Sequence, residues 1–456
     1  MLVTVFMCLI GYIIYFMQFK AEVTIANTRN IRQDSFSDVV ERGDIITSDG
    51  VVVATSTTDE EGNTTRSYPY ANMFAHVVGY DSNGKSGLEL QGNFYMLRTH
   101  INMFERIYKQ IKEKKNRGDN LVTTISYDLQ SAAYNALSGC NGAVVVLEPS
   151  SGKILAMVSK PDFDPNNMDY VWSYLQSEEG EKSTLLLNRA TQGLYAPGST
   201  FKILTMLEYM RENTDYESYV YECAGNAIFS NVRIRCSNDR VHGTENLADS
   251  LAYSCNLSFA NIGMSLNLAS YRKTADELLY NSELPYDGEY SKSSFVLDSG
   301  SDKDSVPQTV IGQGETQITP LHNAMIMSAI ANGGVLMKPY LIDSIVNDDG
   351  ANIKSFSSKT YGSLITVDEA SVLTEYMKGV CDYGTASGYF AGLEYDVAGK
   401  TGTAEYDNNG NCNSWFVGFS NPDQPDIVVS VVVEDSNTTG VSGVSVARQI
   451  FDAYYY

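Results

Sequence analysis

The chain has 456 residues, which is enough for two or three domains around a large hydrophobic core. Hydrophobic residues make up 43% of it, an ordinary fraction for a globular protein. Acidic residues outnumber basic ones by 55 to 32, and the formal net charge is −23. Because a nucleic-acid partner requires a basic surface, this balance argues against nucleic-acid binding as a function.

The first residues form an apolar segment. Residues 1–17 read MLVTVFMCLIGYIIYFM, with Thr4 as their polar residue. A bilayer requires about 20 apolar residues, so the sequence predicts a minimal transmembrane anchor over residues 1–19. A cleaved signal peptide is the alternative, but no small-residue cleavage site closely follows the run. A buried core helix is disfavoured because the segment has no polar face.

The charges that flank this segment do not fix its orientation. Lys20, Arg29 and Arg32 follow the apolar residues, and a simple count of these charges would place the rest of the chain in the cytoplasm. Large domains, however, cross a membrane largely regardless of their charge. The flanking charges therefore do not decide on which side of the membrane the large domain lies.

Residues 21–140 are polar and irregular in pattern. The run at 51–53 has the pattern of a strand, a new ordered stretch begins at 121–125, and residues 129–137 have helical spacing. The sequence therefore predicts a separate domain of mixed structure between the apolar segment and the rest of the chain.

Strand-like runs mark both ends of the remaining chain. Apolar runs at 142–147 and 154–158 are separated by a turn with proline and glycine, which predicts a β-hairpin. Runs at 414–419 and 427–433 predict two further strands, and the β-branched second run is typical of a strand covered on both faces. Because longer helical patterns lie between the two pairs, we predict an α+β domain over residues 141–456.

The first of three short motifs is Ser-Thr-Phe-Lys, from Ser199 to Lys202. Pro197 and Gly198 precede it and a helical run follows, so Ser199 lies at a helix start, where free N–H groups favour an oxyanion. Lys202 lies on the same helix face. A serine becomes a nucleophile when a base takes its proton, and a lysine can serve once burial lowers its pKa. Taken alone, the motif is more often a capping serine with a surface lysine.

The second motif is Ser254-Cys255-Asn256, ahead of another helical pattern. A loop serine here can relay a proton between Lys202 and a leaving group, and the asparagine offers a donor and an acceptor to a peptide. Taken alone, Ser and Asn at this position are more often a helix cap.

The third motif reads Lys-Thr-Gly-Thr and begins at Lys400. Gly402 lets a substrate lie close along a strand, while Thr401, Thr403 and the lysine charge suit a terminal carboxylate. The backbone N–H of Thr403 could form an oxyanion hole with that of Ser199. A glycine-rich turn is the alternative, and a Walker A phosphate loop is excluded because its first glycine is missing.

The seven cysteines are too sparse for a disulfide framework. Cys223 and Cys236 could close a local loop in an oxidising compartment. With His242 they offer three soft metal ligands, but their spacing matches no usual zinc pattern. We therefore expect structural cysteines, free or paired, and neither a metal nor a cofactor.

The three motifs in this order form the signature of serine enzymes that recognise penicillin. With their surroundings they resemble class B penicillin-binding proteins, and the resemblance covers nearly the whole chain. The segments that carry it are YAPGSTFK at 195–202, AGKTGTAE at 398–405, GQG at 312–314, LEP at 147–149, GKILA at 152–156, ANGG at 331–334, RGDI at 42–45 and GLE at 87–89.

This resemblance implies a fold and a reaction. The fold is a membrane anchor over 1–19, a dimerisation-like pedestal over 21–140, and an α+β, β-lactamase-like transpeptidase domain over 141–456 with a five-stranded antiparallel sheet flanked by helices. The reaction is the cross-linking of peptidoglycan stem peptides, inhibited by β-lactams. The implied place is the extracytoplasmic side of a bacterial cell membrane, beside a polytopic glycan polymerase.

The resemblance also implies roles for the motif residues. Ser199 would attack a D-Ala-D-Ala peptide and release D-alanine, with Lys202 as base and Ser254 as proton relay. The remaining roles are Asn256 for the donor peptide amide, Lys400 for support of the relay, and Thr401 and Thr403 for the donor carboxylate. Gly402 is the third substrate-binding residue of this motif.

Two alternatives use the same motifs. A hydrolytic enzyme, either a D,D-carboxypeptidase or a β-lactamase, is one, but the roughly 120 residues before the hairpin argue against a compact lactamase. In addition, Cys255 stands where lactamases often have aspartate. A non-catalytic penicillin sensor or scaffold is the other, and the intact nucleophile, base and third motif argue against it.

Overall fold

The computed structural model describes residues 2–20, 37, 39–59, 61–101, 111, 115–407 and 410–456. Arg29 and Arg32, on which the orientation argument partly depends, lie outside the described residues. The chain forms two compact units. The first comprises Met1–Thr124, Phe163–Ser183 and Leu341–Ser357, and the second comprises Ile125–Asp162, Thr184–Tyr340 and Ser358–Tyr456.

The unit bounds differ from the predicted domain bounds at two places. Residues 125–140 belong to the second unit, although the sequence pattern assigned them to the N-terminal domain. Two segments from within the range 141–456, Phe163–Ser183 and Leu341–Ser357, belong to the first unit. No local pattern marks these insertions, because each depends on contacts with residues far away in the chain: Ile342–Val346 pairs with Asn120–Thr123, and Asn166 Oδ1 accepts the N–H of Tyr68.

The chain begins with an α-helix, Leu2–Tyr15, followed by a π-helical segment, Phe16–Lys20. Apolar side chains on this helix, such as Val5 and Ile10, are exposed. None of the helices that the structure describes has the length and hydrophobicity required to cross a membrane.

The first unit is built on a six-stranded mixed sheet. Its strands pair antiparallel except for Ile45–Ile46 with Asn120–Thr123, which pair in parallel. Their order across the sheet is Asn352–Ser355, Ile342–Val346, Asn120–Thr123, Ile45–Ile46, Val52–Thr58 and Thr64–Ser67. The unit also contains a parallel pair, Val40–Glu41 with Asn116–Arg117, and the helices Ala75–Val78, Gly87–Gln91, Asn93–Met96 and Met168–Leu175.

A buried ion cluster joins two of the N-terminal sequence segments. Glu89, from the GLE segment, is completely buried and bonds to Arg42 Nε of the RGDI segment at 2.5 Å. Its other oxygen lies 2.8 Å from Arg66, whose guanidinium also donates to the backbone carbonyl of Gly43. Burial alone would raise the pKa of Glu89, but the charges of Arg66 and Arg42 outweigh it and lower that pKa. These two segments are therefore structural elements of the first unit.

The second unit is built on a five-stranded antiparallel sheet flanked by helices, which confirms the expected fold of this part. Its strand order is Val397–Glu405, Cys412–Ser420, Val428–Val433, Gly142–Leu147 and Ile154–Lys160. The last two strands form the predicted hairpin. Every residue of Val428–Val433 is buried, as its β-branched run predicted, because helices cover both faces.

Helices on the two faces of this sheet form the core of the second unit. Pro320–Ala331 is buried along its whole length against the three central strands. Gly443–Tyr455 and Tyr127–Ala136 pack on one another and on the sheet. The other α-helices are Lys202–Glu212, Leu247–Ala252, Asn256–Ser265, Leu268–Glu277, Val306–Thr309, Val367–Asp382, Ser387–Phe390 and Ser436–Thr439.

Three small two-stranded sheets complete the second unit. They are Val220–Cys223 with Gly243–Asn246, Asn226–Phe229 with Val232–Arg235, and Val335–Met337 with Thr360–Ser363, all antiparallel. The first two matter for the site, because they bring residues near 223, 236 and 242 toward the second motif.

Candidate active site

The first motif forms the predicted helix start. A 3₁₀ turn, Gly198–Phe201, continues directly into the α-helix Lys202–Glu212. Residues three apart eclipse one another in a 3₁₀ turn, so Ser199 and Lys202 share a face. Ser199 is half-buried, whereas Lys202 has no exposed surface. The serine is therefore open to a substrate while the lysine is withdrawn from water.

Two glycines allow the close packing around this turn. Gly198 has a φ of 55°, and its N–H donates to the carbonyl of Gly312 at 2.9 Å. A Cβ on Gly198 would lie 2.7 Å from the carbonyl oxygen of Thr403, and one on Gly312 would lie 1.8 Å from that of Gly198. Both positions require glycine, because a side chain would meet backbone that cannot move away. This explains the Gly-Gln-Gly segment as a support for the nucleophile turn.

Lys202 connects the first motif to the second. Its Nζ donates to the carbonyl oxygen of Ser254 at 2.7 Å, to Ser254 Oγ at 3.2 Å and to Asn256 Oδ1 at 2.6 Å. Ser254 has a φ of 57°, which is uncommon for a residue with a side chain. That conformation turns both oxygens of Ser254 toward the lysine. An ammonium has three N–H donors, and these acceptors satisfy all three.

Lys400 connects the third motif to the same serine. Its Nζ donates to Ser254 Oγ and to the carbonyl oxygen of Thr401, both at 2.9 Å. Lys400 has no exposed surface. The hydroxyl of Ser254 therefore lies between two buried lysines that are 198 positions apart in the chain (400 minus 202).

Burial disfavours the charged forms of both lysines. Burial lowers the pKa of Lys202 to about 8, although Cys255, Cys236 and Glu245 oppose this effect. Burial and the charge of Lys202 lower the pKa of Lys400 well below its ordinary value. One of the two amines can therefore accept a proton near neutral pH, as a general base must.

The third motif lies on an exposed strand edge beside the nucleophile. Val397–Glu405 is the first strand in the sheet order. Among the described strands, it pairs with one neighbour, Cys412–Ser420. The carbonyl oxygen of Thr403 accepts a bond of 3.3 Å from Gln313 Nε2, so it faces away from that neighbour. The N–H and C=O of one residue in a strand point to the same side. The N–H of Thr403 therefore faces the open edge, near Ser199.

Gly402 and Thr401 also have defined surroundings. A Cβ on Gly402 would lie 3.1 Å from Thr200 Cγ2 and from Trp415 Cβ, so the glycine lets the strand pack on the nucleophile turn. Contact with substrate at Gly402 stays a prediction. The hydroxyl of Thr401 pairs with that of Thr385 at 2.7 Å, which fixes its position.

The structure brings together all the motif residues that the sequence singled out. It adds three partners that no motif indicated: Thr385 beside Thr401, Gln313 beside Thr403, and the carbonyl of Arg235, which accepts from Asn256 Nδ2 at 2.7 Å. Gln313 could have been found, since it lies between the glycines of the Gly-Gln-Gly segment. Thr385 and Arg235 carry no such signal.

Comparisons with known proteins agree with this geometry. Residues 142–455 match the penicillin binding protein transpeptidase domain, and residues 42–121 match the penicillin binding protein A dimerisation domain. Peptidoglycan D,D-transpeptidase PbpA of Mycolicibacterium smegmatis is 30% identical over 442 residues, which cover 91% of this chain and 88% of the relative.

Solved structures are similar over nearly the same length. The D,D-transpeptidase domain of a peptidoglycan glycosyltransferase from Eggerthella lenta has a TM-score of 0.80 at 31% identity, and the match covers 91% of this chain and 98% of that one. The imipenem acyl-enzyme complex of penicillin-binding protein A from M. tuberculosis has a TM-score of 0.80 at 28% identity, with coverage of 92% and 100%.

Proposed function

Since the chain belongs to the penicillin-binding protein transpeptidase family, we propose that Ser199 is the nucleophile of its reaction on peptidoglycan. The protein is a serine-type peptidoglycan D,D-transpeptidase of class B, and β-lactams acylate it. The observation that carries the residue assignment is the hydrogen-bonded array of Lys202, Ser254 and Lys400 beside the half-buried Ser199.

Acylation begins at Ser199. The neutral amine of Lys202 takes the hydroxyl proton while Oγ forms a bond to the carbonyl carbon of the penultimate D-alanine. In the structure the Nζ of Lys202 bonds to three acceptors. For this step the neutral amine must turn away from one of them, so that the lone pair of Nζ points at the hydroxyl of Ser199. The N–H groups of Ser199 and Thr403 bind the resulting oxyanion.

The leaving group departs through Ser254. The C–N bond to the terminal D-alanine breaks, and Ser254 Oγ gives its proton to the leaving amine while it takes one from Lys202. Lys400 donates to the same hydroxyl and stabilises its charge as the proton moves. An amine from a second stem peptide then attacks the ester, and the proton that it loses returns to Ser199 by the reverse route.

The substrate binds along the open edge of the strand Val397–Glu405. Asn256 uses one acceptor direction for Lys202 and one N–H for Arg235, which leaves one donor and one acceptor for the donor peptide. The donor carboxylate lies against the hydroxyls of Thr401 and Thr403, and Gly402 keeps this edge close to the nucleophile turn. No cofactor takes part in this scheme.

A partition assay tests the proposed function. We expect the full-length protein to convert a D-Ala-D-Ala stem peptide into a cross-linked product when an acceptor amine is present, because the acyl group is passed to an amine. Product ratios are read by mass spectrometry, with a Ser199→Ala protein as the blank. Release of D-alanine with water as the sole acceptor at every amine concentration would instead support a carboxypeptidase.

We also propose that residues 1–19 anchor the protein, with the second unit on the extracytoplasmic side. The apolar run and the exposed side chains of Leu2–Tyr15 support this placement. The dimerisation-domain match at 42–121 supports a pedestal over residues 21–140, and the transpeptidase match at 142–455 supports a transpeptidase domain over 141–456. A polytopic glycan polymerase is the partner that the family resemblance implies.

Cell fractionation tests the anchor. We expect the full-length chain in washed membranes and a chain without residues 1–19 in the soluble fraction, because the deletion removes the apolar run. The penicillin-labelling activity of the shortened chain serves as a folding control. A shortened and active chain that stays in the membrane fraction would contradict the anchor.

A further inference from the structure

Four soft side chains converge behind the second motif. Cys223 Sγ lies 3.7 Å from Cys236 Sγ and 3.4 Å from His242 Nδ1, and Cys236 Sγ lies 3.7 Å from Cys255 Sγ. The four ligand atoms all lie within 4.8 Å of one another, and the three cysteines are buried. The sequence suggested three of these residues and missed Cys255, because it belongs to a motif with another role.

These separations are those of a tetrahedral metal site. Metal–sulfur bonds of about 2.3 Å with tetrahedral angles place two sulfurs about 3.8 Å apart. A disulfide requires about 2.05 Å, so no pair in the cluster is bonded in this arrangement. All seven cysteines of the chain are free thiols in the structure.

The four residues come from separate elements that hold them in place. Cys223 ends the strand Val220–Cys223, Cys236 follows Val232–Arg235, His242 precedes Gly243–Asn246, and Cys255 caps the helix Asn256–Ser265. Cys255 Sγ also accepts the backbone N–H of Ser258 at 3.5 Å. Hydrogen bonds of this kind orient the ligands of metal sites.

A buried carboxylate, that of Glu245, lies beside the cluster. Glu245 is 2% exposed, and neither of its oxygens accepts a hydrogen bond of normal geometry from the described residues, although the weak donor Cys255 is a neighbour. Its Oε1 lies 3.9 Å from His242 Nδ1. Glu245 is therefore a neighbour of the cluster and not one of its four ligands.

We infer that Cys223, Cys236, His242 and Cys255 bind one Zn²⁺ in a closed, structural site that holds the second motif in position. Three thiolates and one imidazole suit this ion, and a fourth protein ligand leaves no open position for chemistry. Binding releases the protons of the three thiols. This inference departs from the sequence-based expectation of no metal.

The position of Cys255 gives the metal its role. The backbone on either side of it carries Ser254 and Asn256, which supply the three acceptors that Lys202 has among the described residues. A metal bond at Cys255 therefore fixes the base indirectly, and Cys255 is a positioning residue. This second claim rests on the proposed function, whereas the metal site itself does not.

Metal analysis of the purified full-length protein tests the site. We expect about one zinc per chain by elemental mass spectrometry, and a cobalt-substituted protein should show thiolate-to-cobalt charge transfer with tetrahedral d–d bands. Cys223→Ser should lose the metal, whereas Cys140→Ala, at a buried cysteine outside the cluster, should keep it. Substoichiometric metal with a Cys223–Cys236 or Cys236–Cys255 disulfide, or full metal content in Cys223→Ser, would overturn the site.

Penicillin acylation tests the positioning role. Removal of zinc by a chelator should slow acylation on the order of 10-fold to 100-fold, and added zinc should restore it. Unchanged acylation after complete metal loss would overturn that role. Ser199→Ala should retain one zinc while it loses acylation, so a failure of the catalytic assignment remains distinguishable from a failure of the metal site.

Discussion

Ser199→Ala should abolish covalent labelling of the protein by penicillin. Alanine has no oxygen to attack the β-lactam carbonyl, and removal of a serine nucleophile costs on the order of 10⁶-fold in rate. Fluorescent penicillin, followed on a denaturing gel, measures the loss. The backbone carbonyl of Ser199, which accepts the N–H of Lys202, is kept in the variant, and the Ser199 hydroxyl makes no hydrogen bond to the described residues. Thermal unfolding of the variant should therefore match that of the unmodified protein.

Ser270→Ala is the matched control for this experiment. Ser270 is an exposed serine in the helix Leu268–Glu277 of the same unit, and its replacement should leave labelling unchanged. Persistent labelling of the Ser199→Ala protein would mean that another residue carries the acyl group.

Lys202→Arg should reduce acylation by about 10²-fold to 10⁴-fold, the range of a general base. Arginine keeps the positive charge but does not lose its proton, so Ser199 would have no proton acceptor. Stopped-flow acylation with a chromogenic β-lactam measures the rate. Lys273→Arg, at a lysine whose side chain is 79% exposed, is the matched control and should be unaffected.

The pH profile distinguishes loss of a base from loss of structure. Because burial lowers the pKa of Lys202 to about 8, its neutral form is scarce below that pH and dominant above it. The acylation rate of the unmodified protein should therefore rise with pH and level off above about 8. Lys202→Met, which removes the charge without adding bulk, should lack this rise. A variant with near-normal acylation and the same rise would place the base elsewhere.

The sheet of the second unit was predictable because its strands carry local signals. The β-branched run at 427–433 has the composition of a strand covered on both faces, and the structure buries every residue of Val428–Val433. The hairpin of Gly142–Leu147 with Ile154–Lys160 is marked by its turn residues. Local patterns suffice where neighbouring residues determine the conformation.

The chemical roles of the motif residues could be predicted from the sequence, but the way in which these residues come together in space could not. The spacing of Ser199 and Lys202 places both on one helix face, so their shared face follows from sequence. The meeting of Lys202 with Lys400 at Ser254 does not, because it depends on how a helix and an edge strand pack. The role of Gly402 likewise became clear only when its neighbours Thr200 and Trp415 were known.

The cysteine cluster is a second site whose geometry could not be predicted from the sequence. Cys223, Cys236 and His242 are possible metal ligands, but their spacings match no usual zinc pattern, so the sequence alone did not favour a metal. Two small β-hairpins and a helix start bring them to Cys255. Metal sites assembled across several elements are recognised by distances between ligand atoms rather than by spacing along the chain.

Mass spectrometry of the full-length protein after penicillin treatment tests the central assignment most directly. The protein is digested, and fragmentation of the modified peptide locates the added penicilloyl group. The account predicts one adduct per chain, on the Oγ of Ser199. An adduct on any other residue, or a fully folded protein that carries no adduct, would contradict it.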